Sequence, residues 1–408
     1  MNSSTRRLKS ACYFTSISMA VVSNVPPLLF LTFREQYGIS FTLLGTLVLI
    51  NFVTQLTVDL IFSFFSSRFN IEKTVRLMPV LCAAGLWIFA LWPLAFPRLV
   101  YLGLSLGTVV FSAGAGLAEV LISPIIAALP AKDPDREMSK LHSIYAWGVV
   151  IVVPLASVFL FLFGGESWQI LALLLSLIPI TSAVLYRTAR IPEIENGEKT
   201  SGVLAYLKNK SLWLCFVAIF LGGAAECTMA QWCSGYVESA LGIEKIWGDI
   251  FGVALFGAML GFGRTLYAKI GKNLGRVIFL GALGAAGCYL LAAVSSNAVV
   301  GLIACALCGF CTSMLWPGNL VGATDRFPKG GVFIFAMMAA GGDLGASVGP
   351  QLVGWVTDAV IASERAIGIC QNLGITPDAL GMKCGMLVGM LFPLVGLPIY
   401  FVMWKKKK

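Results

Sequence analysis

The sequence predicts an all-α polytopic membrane protein of twelve transmembrane helices arranged as two pseudo-symmetric six-helix halves. Three observations carry that expectation. Of the 408 residues, 58% are apolar and 12% charged, against roughly a quarter charged in an ordinary soluble domain. Charge-free windows long enough to cross about 30 Å of hydrocarbon recur along the chain. The basic residues between those windows alternate in abundance as loops on two sides of a membrane do.

The windows run in order. No charge occurs from Ser10 to Phe33, Gln36 to Val58, Leu77 to Pro97, Leu99 to Ala118, Leu141 to Gly165, Ser167 to Tyr186, or Gly385 to Trp404. The run from Val277 to Thr324 holds two spans with a turn at Ser295-Ser296-Asn297. Three further spans contain or begin at one acid: 212–237 around Glu226, 249–267 beginning near Asp249, and 332–357 around Asp343. The total is twelve. With the N-terminus inside, 24 of the 29 basic residues fall in inner loops and only Arg34, Arg98, Lys245, Arg365 and Lys383 fall outside. This places both termini in the cytoplasm and the chain in the cell inner membrane. The net charge of +9 is thus a topogenic signal, and no nucleic acid partner is expected, because such binding gathers basic residues on one water-facing surface. The apolar run behind the basic N-terminus is 24 residues long, too long for a signal-peptide core, and reads as an uncleaved first helix.

The polar stretch Arg187 to Lys210, with Pro192, Glu193, Glu195, Gly197, Glu198 and Gly202, reads as a cytoplasmic linker. The expected organisation is therefore an N-terminal half at 1–188, a linker at 189–210 and a C-terminal half at 211–408. The halves echo each other as parallel repeats do. Gly116-x7-Pro124 matches Gly309-x7-Pro317, and Pro154 matches Pro350, at offsets of 193 and 196 residues. Short basic connections, Arg68 to Lys73 and Lys269 to Lys272, follow the second and eighth spans.

On these features the chain resembles the major facilitator superfamily over essentially its whole length. Gly263-Arg-Thr-Leu-Tyr-Ala-Lys-Ile-Gly-Lys272 is similar to that superfamily's loop motif, while the first-half copy has Ser67 and Asn70 where the motif has Asp and Gly. Within the superfamily, Ala118-Glu-Val-Leu-Ile-Ser-Pro124 is similar to the span-four segment of the fucose and glucose proton symporter group, with Ser123 in place of its Asn. Gly223-Ala-Ala-Glu226, Gln231-Trp232, Tyr236, Leu315-Trp-Pro317 and Gly349-Pro350 also resemble that group. Its span-one carboxylate has no counterpart, since Ser23 to Pro27 is uncharged. The resemblance implies a secondary transporter with the major facilitator fold, binding a small-molecule substrate and coupled to protons, with sodium as the alternative ion. It is expected to be a monomer in the bilayer, without cofactor.

The residues themselves offer candidates for that chemistry. A carboxylate in hydrocarbon costs at least about 2.5–3.5 kcal/mol, so one placed there normally faces protein or a water-filled cavity. Four acids qualify as proton-coupling candidates: Asp59, Glu119, Glu226 and Asp343. Three sit on polar stripes at helical spacing: Asn51, Gln55 and Asp59; Ser112, Gly116, Glu119 and Ser123; Asp343, Ser347 and Gln351. Glu119 is the preferred proton acceptor, because burial disfavours the charged form of a carboxyl and a cavity opening to alternate sides changes that burial. The competing reading for each acid is an interhelical hydrogen bond that fixes packing. His142, beside Lys140 at a helix end, reads as a solvated interfacial residue.

For a sugar-like cargo, hydrogen bonds are expected from Asn24, Asn51, Gln55, Gln231, Tyr236 and Asn319 and aromatic faces from Trp147, Trp232 and Trp316. The tryptophans have an alternative role in the interfacial belt. Arg264, the one basic residue near a helix interior, is placed at a cytoplasmic end, so anionic cargo is disfavoured. The competing function is export of amphipathic compounds, for which Met337-Met338 would supply an apolar pocket. No nucleophile constellation or soluble catalytic domain supports an enzyme. Three thiols at Cys305, Cys308 and Cys311 have ligand-like spacing but no charge partner, so no metal is expected. Cys370 and Cys384 are the pair that an outer-face disulfide would join. Finally, Pro26-Pro27, Pro124, Pro154, Pro317 and Pro350 are expected to bend their helices.

Overall fold

In a computed structural model the described residues are 3–65, 69–129, 134–192, 206–270, 273–327 and 331–405. Ser67, Arg68, Lys132, the segment 193–205 of the expected linker, Lys272, Lys329 and Lys406 to Lys408 lie outside them, as do the side chains of Ser123, Arg136, Lys140 and His142. The described chain is helical, without strands. Each of the twelve expected spans is occupied by a helix or a helix pair.

In the first half these are α1 (Ser3–Leu28) continued by α2 (Phe30–Tyr37), α3 (Phe41–Phe65), α4 (Ile71–Ala95), α5 (Val100–Ala127), α6 (Pro134–Phe163), and the pair α7 (Trp168–Leu175) and α8 (Leu177–Thr188). The second half has α9 (Lys210–Leu241), then α10 (Lys245–Gly248) leading through a π-helical turn (Asp249–Ala254) into α11 (Leu255–Ile270). It continues with α12 (Leu274–Val294), α13 (Ala298–Thr312) followed by α14 (Leu315–Arg326), α15 (Gly331–Ile361), a short α16 (Glu364–Leu373) and α17 (Pro377–Lys405). Among the described residues nine helical stretches are long and apolar enough to cross a membrane, and α1 with α2 forms a tenth, bent by 45°. The two remaining spans are α6, whose apolar part Trp147–Phe163 is shorter, and α15, 31 residues long.

Helix ends follow from local chemistry. Asn70, Asn209, Asn273 and Asn297 each accept a hydrogen bond from a first-turn N–H of α4, α9, α12 and α13, satisfying donors that a helix start leaves orphaned. The expected Ser295 to Asn297 turn is one of these caps. Gly242 closes α9 at φ 64°, in the left-handed conformation that glycine adopts without steric cost.

Of the prolines, Pro26-Pro27 break the first span: the N–H of Leu29 turns back to the Pro26 carbonyl, and α2 leaves at the 45° bend. Pro154 and Pro350 sit inside continuous α6 and α15. The tenth span breaks at Ser313–Met314, just ahead of Pro317.

The chain forms two compact units, Met1–Leu29 with Ile50–Thr200, and Phe30–Leu49 with Ser201–Lys408. The division therefore does not run along the linker alone: the end of the first span and the start of the second cluster with the second half. In the first unit an apolar core of Leu8, Ala11, Phe62, Val75, Met78, Ala118 and Ile125 is flanked by a polar knot. There Tyr186 donates to Cys12 Sγ, and the Thr15 and Ser182 hydroxyls lie 2.7 Å apart.

In the second unit α9 and α15 approach so closely that a Cβ on Gly345 would lie 2.0 Å from the Phe220 carbonyl oxygen and 2.8 Å from the Ala224 nitrogen. Both obstacles are backbone. Gly345→Ala is expected to force the helices apart and cost about 1–3 kcal/mol, as overpacking does, read as a lower thermal midpoint of the purified protein. An unchanged midpoint would show that the helices can separate freely.

Candidate functional site

In the first unit two of the expected polar stripes meet. α5 approaches α3 where Gly116 leaves room: a Cβ there would stand 3.1 Å from Gln55 Cα. Ser112 donates to Asn51 Oδ1 at 2.6 Å, and Gln55 Nε2 donates to the same oxygen at 3.1 Å. One turn further along both helices stand Asp59 and Glu119, close enough for their charges to act on each other. Asp59 is buried, with 4% of its surface exposed, and its Oδ1 has no hydrogen-bond partner. Glu119 is exposed. The arrangement is a ladder of neutral hydrogen-bonders ending in two carboxyl groups, one sheltered and one open. Two neighbouring carboxylates resist being charged together, which favours a proton on one of them.

The other first-unit candidates lie apart from this ladder. Asn24 spends its amide on the Ala20 carbonyl at 2.9 Å. Trp147 is 63% exposed on α6.

In the second unit Glu226 is not a free carboxyl. Arg264 on α11 reaches both of its oxygens, at 3.0 and 3.3 Å, and also donates from Nε to the Ser313 carbonyl at 3.1 Å. That carbonyl lies at the break between α13 and α14. The Arg264 side chain is 41% exposed and that of Glu226 12%. Arg264, expected near a cytoplasmic helix end, also serves as a bridging residue. Its signal was a single basic residue near the interior of an apolar helix, one span away from an acid that needed a partner.

Trp232 and Tyr236 are fully buried, and their polar atoms are taken: Trp232 Nε1 donates to the Pro350 carbonyl at 2.9 Å and Tyr236 Oη to the Ala292 carbonyl at 2.6 Å. Trp232 packs against Phe30 and Phe41, ring centroids 5.3 and 5.9 Å away. Asn319 is fully buried and donates to the Leu315 and Ala218 carbonyls. Trp316 is half-buried with its ring on Gly342 and Gly223, both of which lack a Cβ that would collide with it. Gln231 and Asp343 are buried, and Gln351, on the Asp343 stripe, donates to the Thr42 carbonyl at 3.2 Å.

One cluster was missed. Asp249, fully buried at the π-helical turn, receives the Ser234 hydroxyl and pairs with Lys245 at 3.4 Å. The i, i+4 spacing of Lys245 and Asp249 was visible in the sequence, and the return of Ser234 from α9 was not. All eleven cysteines are free thiols, Cys370 and Cys384 included.

Residues 11–350 match the family model described as Major Facilitator Superfamily. Among solved structures, a bacterial homologue of the human lysosomal transporter Spinster, inward-facing and occupied, aligns over 99% of this chain and 98% of its own, with a TM-score of 0.74 and 13% identity. The nucleoside transporter NupG aligns over 99% and 100%, with a TM-score of 0.72 and 13% identity. FucP in its outward conformation aligns over 95% and 98%, with a TM-score of 0.59 and 16% identity. A comparison with curated proteins finds no significant match.

Proposed function

Because this chain belongs to the Major Facilitator Superfamily, and is thus a multi-pass membrane transporter rather than an enzyme, we propose that it moves a small, polar, uncharged solute of the sugar class, coupled to protons that bind the Asp59–Glu119 pair. The observation that carries the reading is the ladder of Asn51, Gln55 and Ser112 leading to two interacting carboxyls. Neutral amides and a hydroxyl suit hydroxyl-rich cargo. Paired acids suit a proton whose affinity changes with access. Because a carboxylate in lipid is costly, this reading requires that the exposed side of Glu119 meet water.

The inner-membrane placement and the cytoplasmic termini belong to the same proposal and rest on the basic-residue distribution, and the two-half organisation at 1–188 and 211–408 rests on the linker and the repeat offsets, with Phe30–Leu49 grouping with the second unit. Sugar-class cargo gains support from FucP, named as a fucose:proton symporter, and polar neutral cargo from NupG, named as a nucleoside transporter. Glu226 is a weaker proton site than the first-unit pair because Arg264 already balances its charge. Trp232 and Tyr236 act as packing anchors. Export of amphipathic compounds has less support: Met337 and Met338, which would line its pocket, are buried in a cluster with Leu212, Cys215 and Phe327.

The test is a thermal-shift screen of the purified protein against sugars, nucleosides and amphipathic cations, since a ligand of the folded state raises its stability by mass action. The best ligand is then added to proteoliposomes in weak buffer. A sugar or nucleoside that shifts the midpoint and makes the external medium more alkaline as it enters is the expected result. Stabilisation by amphipathic cations alone, or uptake with no proton movement, would overturn the reading.

A further inference from the structure

A groove of about 450 Å³ runs along the outside of the first unit between α4 and α8, within the size range of ligand pockets. Its floor is shallow-sided because small residues meet there: Ala83 and Ala84 on α4 and Ala183 on α8. Its walls are apolar, and Val80 and Val184 stand exposed on them.

The two ends differ. At one end lie two guanidinium groups. Arg76 donates from Nη1 to the Arg187 carbonyl at 3.3 Å and from Nη2 to Glu72 at 2.6 Å, while its Nε is buried without a partner. Arg187 is exposed beside it, so the mouth carries two positive charges against the one of Glu72. At the other end Trp87 closes the groove, its Nε1 donating to Ser176 at 2.9 Å, at the break between α7 and α8. Arg76 to Trp87 and Arg187 to Ser176 are each eleven residues apart, about 16 Å along a helix. That is half the ~30 Å hydrocarbon thickness, or one leaflet.

We propose that this groove is a binding site for one anionic phospholipid of the leaflet on the Arg76–Arg187 side, which the basic-residue distribution makes the cytoplasmic one. The phosphate sits between the guanidinium groups of Arg76 and Arg187, and an acyl chain lies along Ala83, Ala84 and Ala183 as far as Trp87. A planar guanidinium pair matches phosphate geometry, and basic pockets between membrane helices attract anionic head groups. The groove's length, its apolar walls and a charged mouth at one end only fit a lipid better than a water-soluble anion, which would leave the apolar part empty.

The proposal is independent of the cargo and of the Asp59–Glu119 pair. It is tested by native mass spectrometry of the full chain released from nanodiscs holding equal phosphatidylglycerol and phosphatidylcholine. Wild type is expected to retain phosphatidylglycerol preferentially. Arg76→Gln with Arg187→Gln should lower that retention about ten- to thirty-fold, at about a kcal/mol per lost charge. Ala84→Phe, which fills the groove and leaves both charges, should abolish it. Should the double variant fail to fold, the exposed Arg187→Gln alone gives the reading, with a several-fold loss expected. Retention unchanged in Arg187→Gln or in Ala84→Phe overturns the site. So does stabilisation of wild type by inorganic phosphate that is lost in Arg187→Gln, because it would assign the mouth to a free anion.

Discussion

Glu119→Gln is expected to abolish solute accumulation driven by a pH gradient while leaving solute exchange intact. A proton moving down one pH unit supplies about 1.4 kcal/mol, enough for roughly tenfold accumulation at one proton per solute. The amide keeps the shape and hydrogen bonding of the protonated acid but has no proton to release. The loaded carrier can still reorient, so counterflow of labelled solute should continue near the wild-type rate. The accumulation ratio in reconstituted vesicles should fall to about one. The buried neighbour offers a second variant: Asp59→Asn removes the nearby negative charge that favours a proton on Glu119, and it should weaken coupling as well. Gradient-driven uptake that survives Glu119→Gln at the wild-type ratio would leave Glu119 as a packing residue.

Removal of Arg264 is expected to give the largest loss of stability among single changes at the site. Arg264→Leu strips Glu226 of both its hydrogen bonds and releases the Ser313 carbonyl at the helix break. Breaking a fully buried pair costs about 3–5 kcal/mol by leaving one charge uncompensated. With Arg264 partly exposed, about 2 kcal/mol is the expected scale, or a midpoint lower by roughly 4–8 °C for a unit of this size. Adding Glu226→Gln should recover much of the loss, because it neutralises the stranded charge, and the double-mutant cycle isolates the pair. A single variant as stable as wild type would show that Glu226 finds water or a proton instead.

The series of apolar spans was legible in the sequence because the membrane imposes a length rule on every span, and that rule acts locally. The two facing stripes were legible for the same reason: Asn51, Gln55 and Asp59 repeat at helical spacing, as do Ser112 and Glu119. That α3 and α5 bring them together is a tertiary fact with one trace in the sequence, the missing side chain of Gly116. Trp232 and Tyr236 show the limit. In sequence they are amphipathic aromatics of the kind that line binding sites. Only the fold reveals that the carbonyls of Pro350 and Ala292 stand opposite their polar atoms. The break at Ser313–Met314 was equally hidden, since Pro317 marks its neighbourhood and not its place.

The membership of Phe30–Leu49 in the second unit bears on how this gene can be cut or shuffled. Within that unit Arg34 pairs with Asp378 at 3.1 Å, the backbone N–H groups of Phe41 and Thr42 donate to Asp358, and Phe30 and Phe41 cover Trp232. A fragment begun after the linker would inherit two acids stripped of their donors and a large indole face stripped of its cover. A fragment ended before the linker would carry Phe30–Leu49 without these partners. The exchangeable module in this protein is therefore discontinuous in sequence, and a chimera that swaps the second unit must swap Phe30–Leu49 with it.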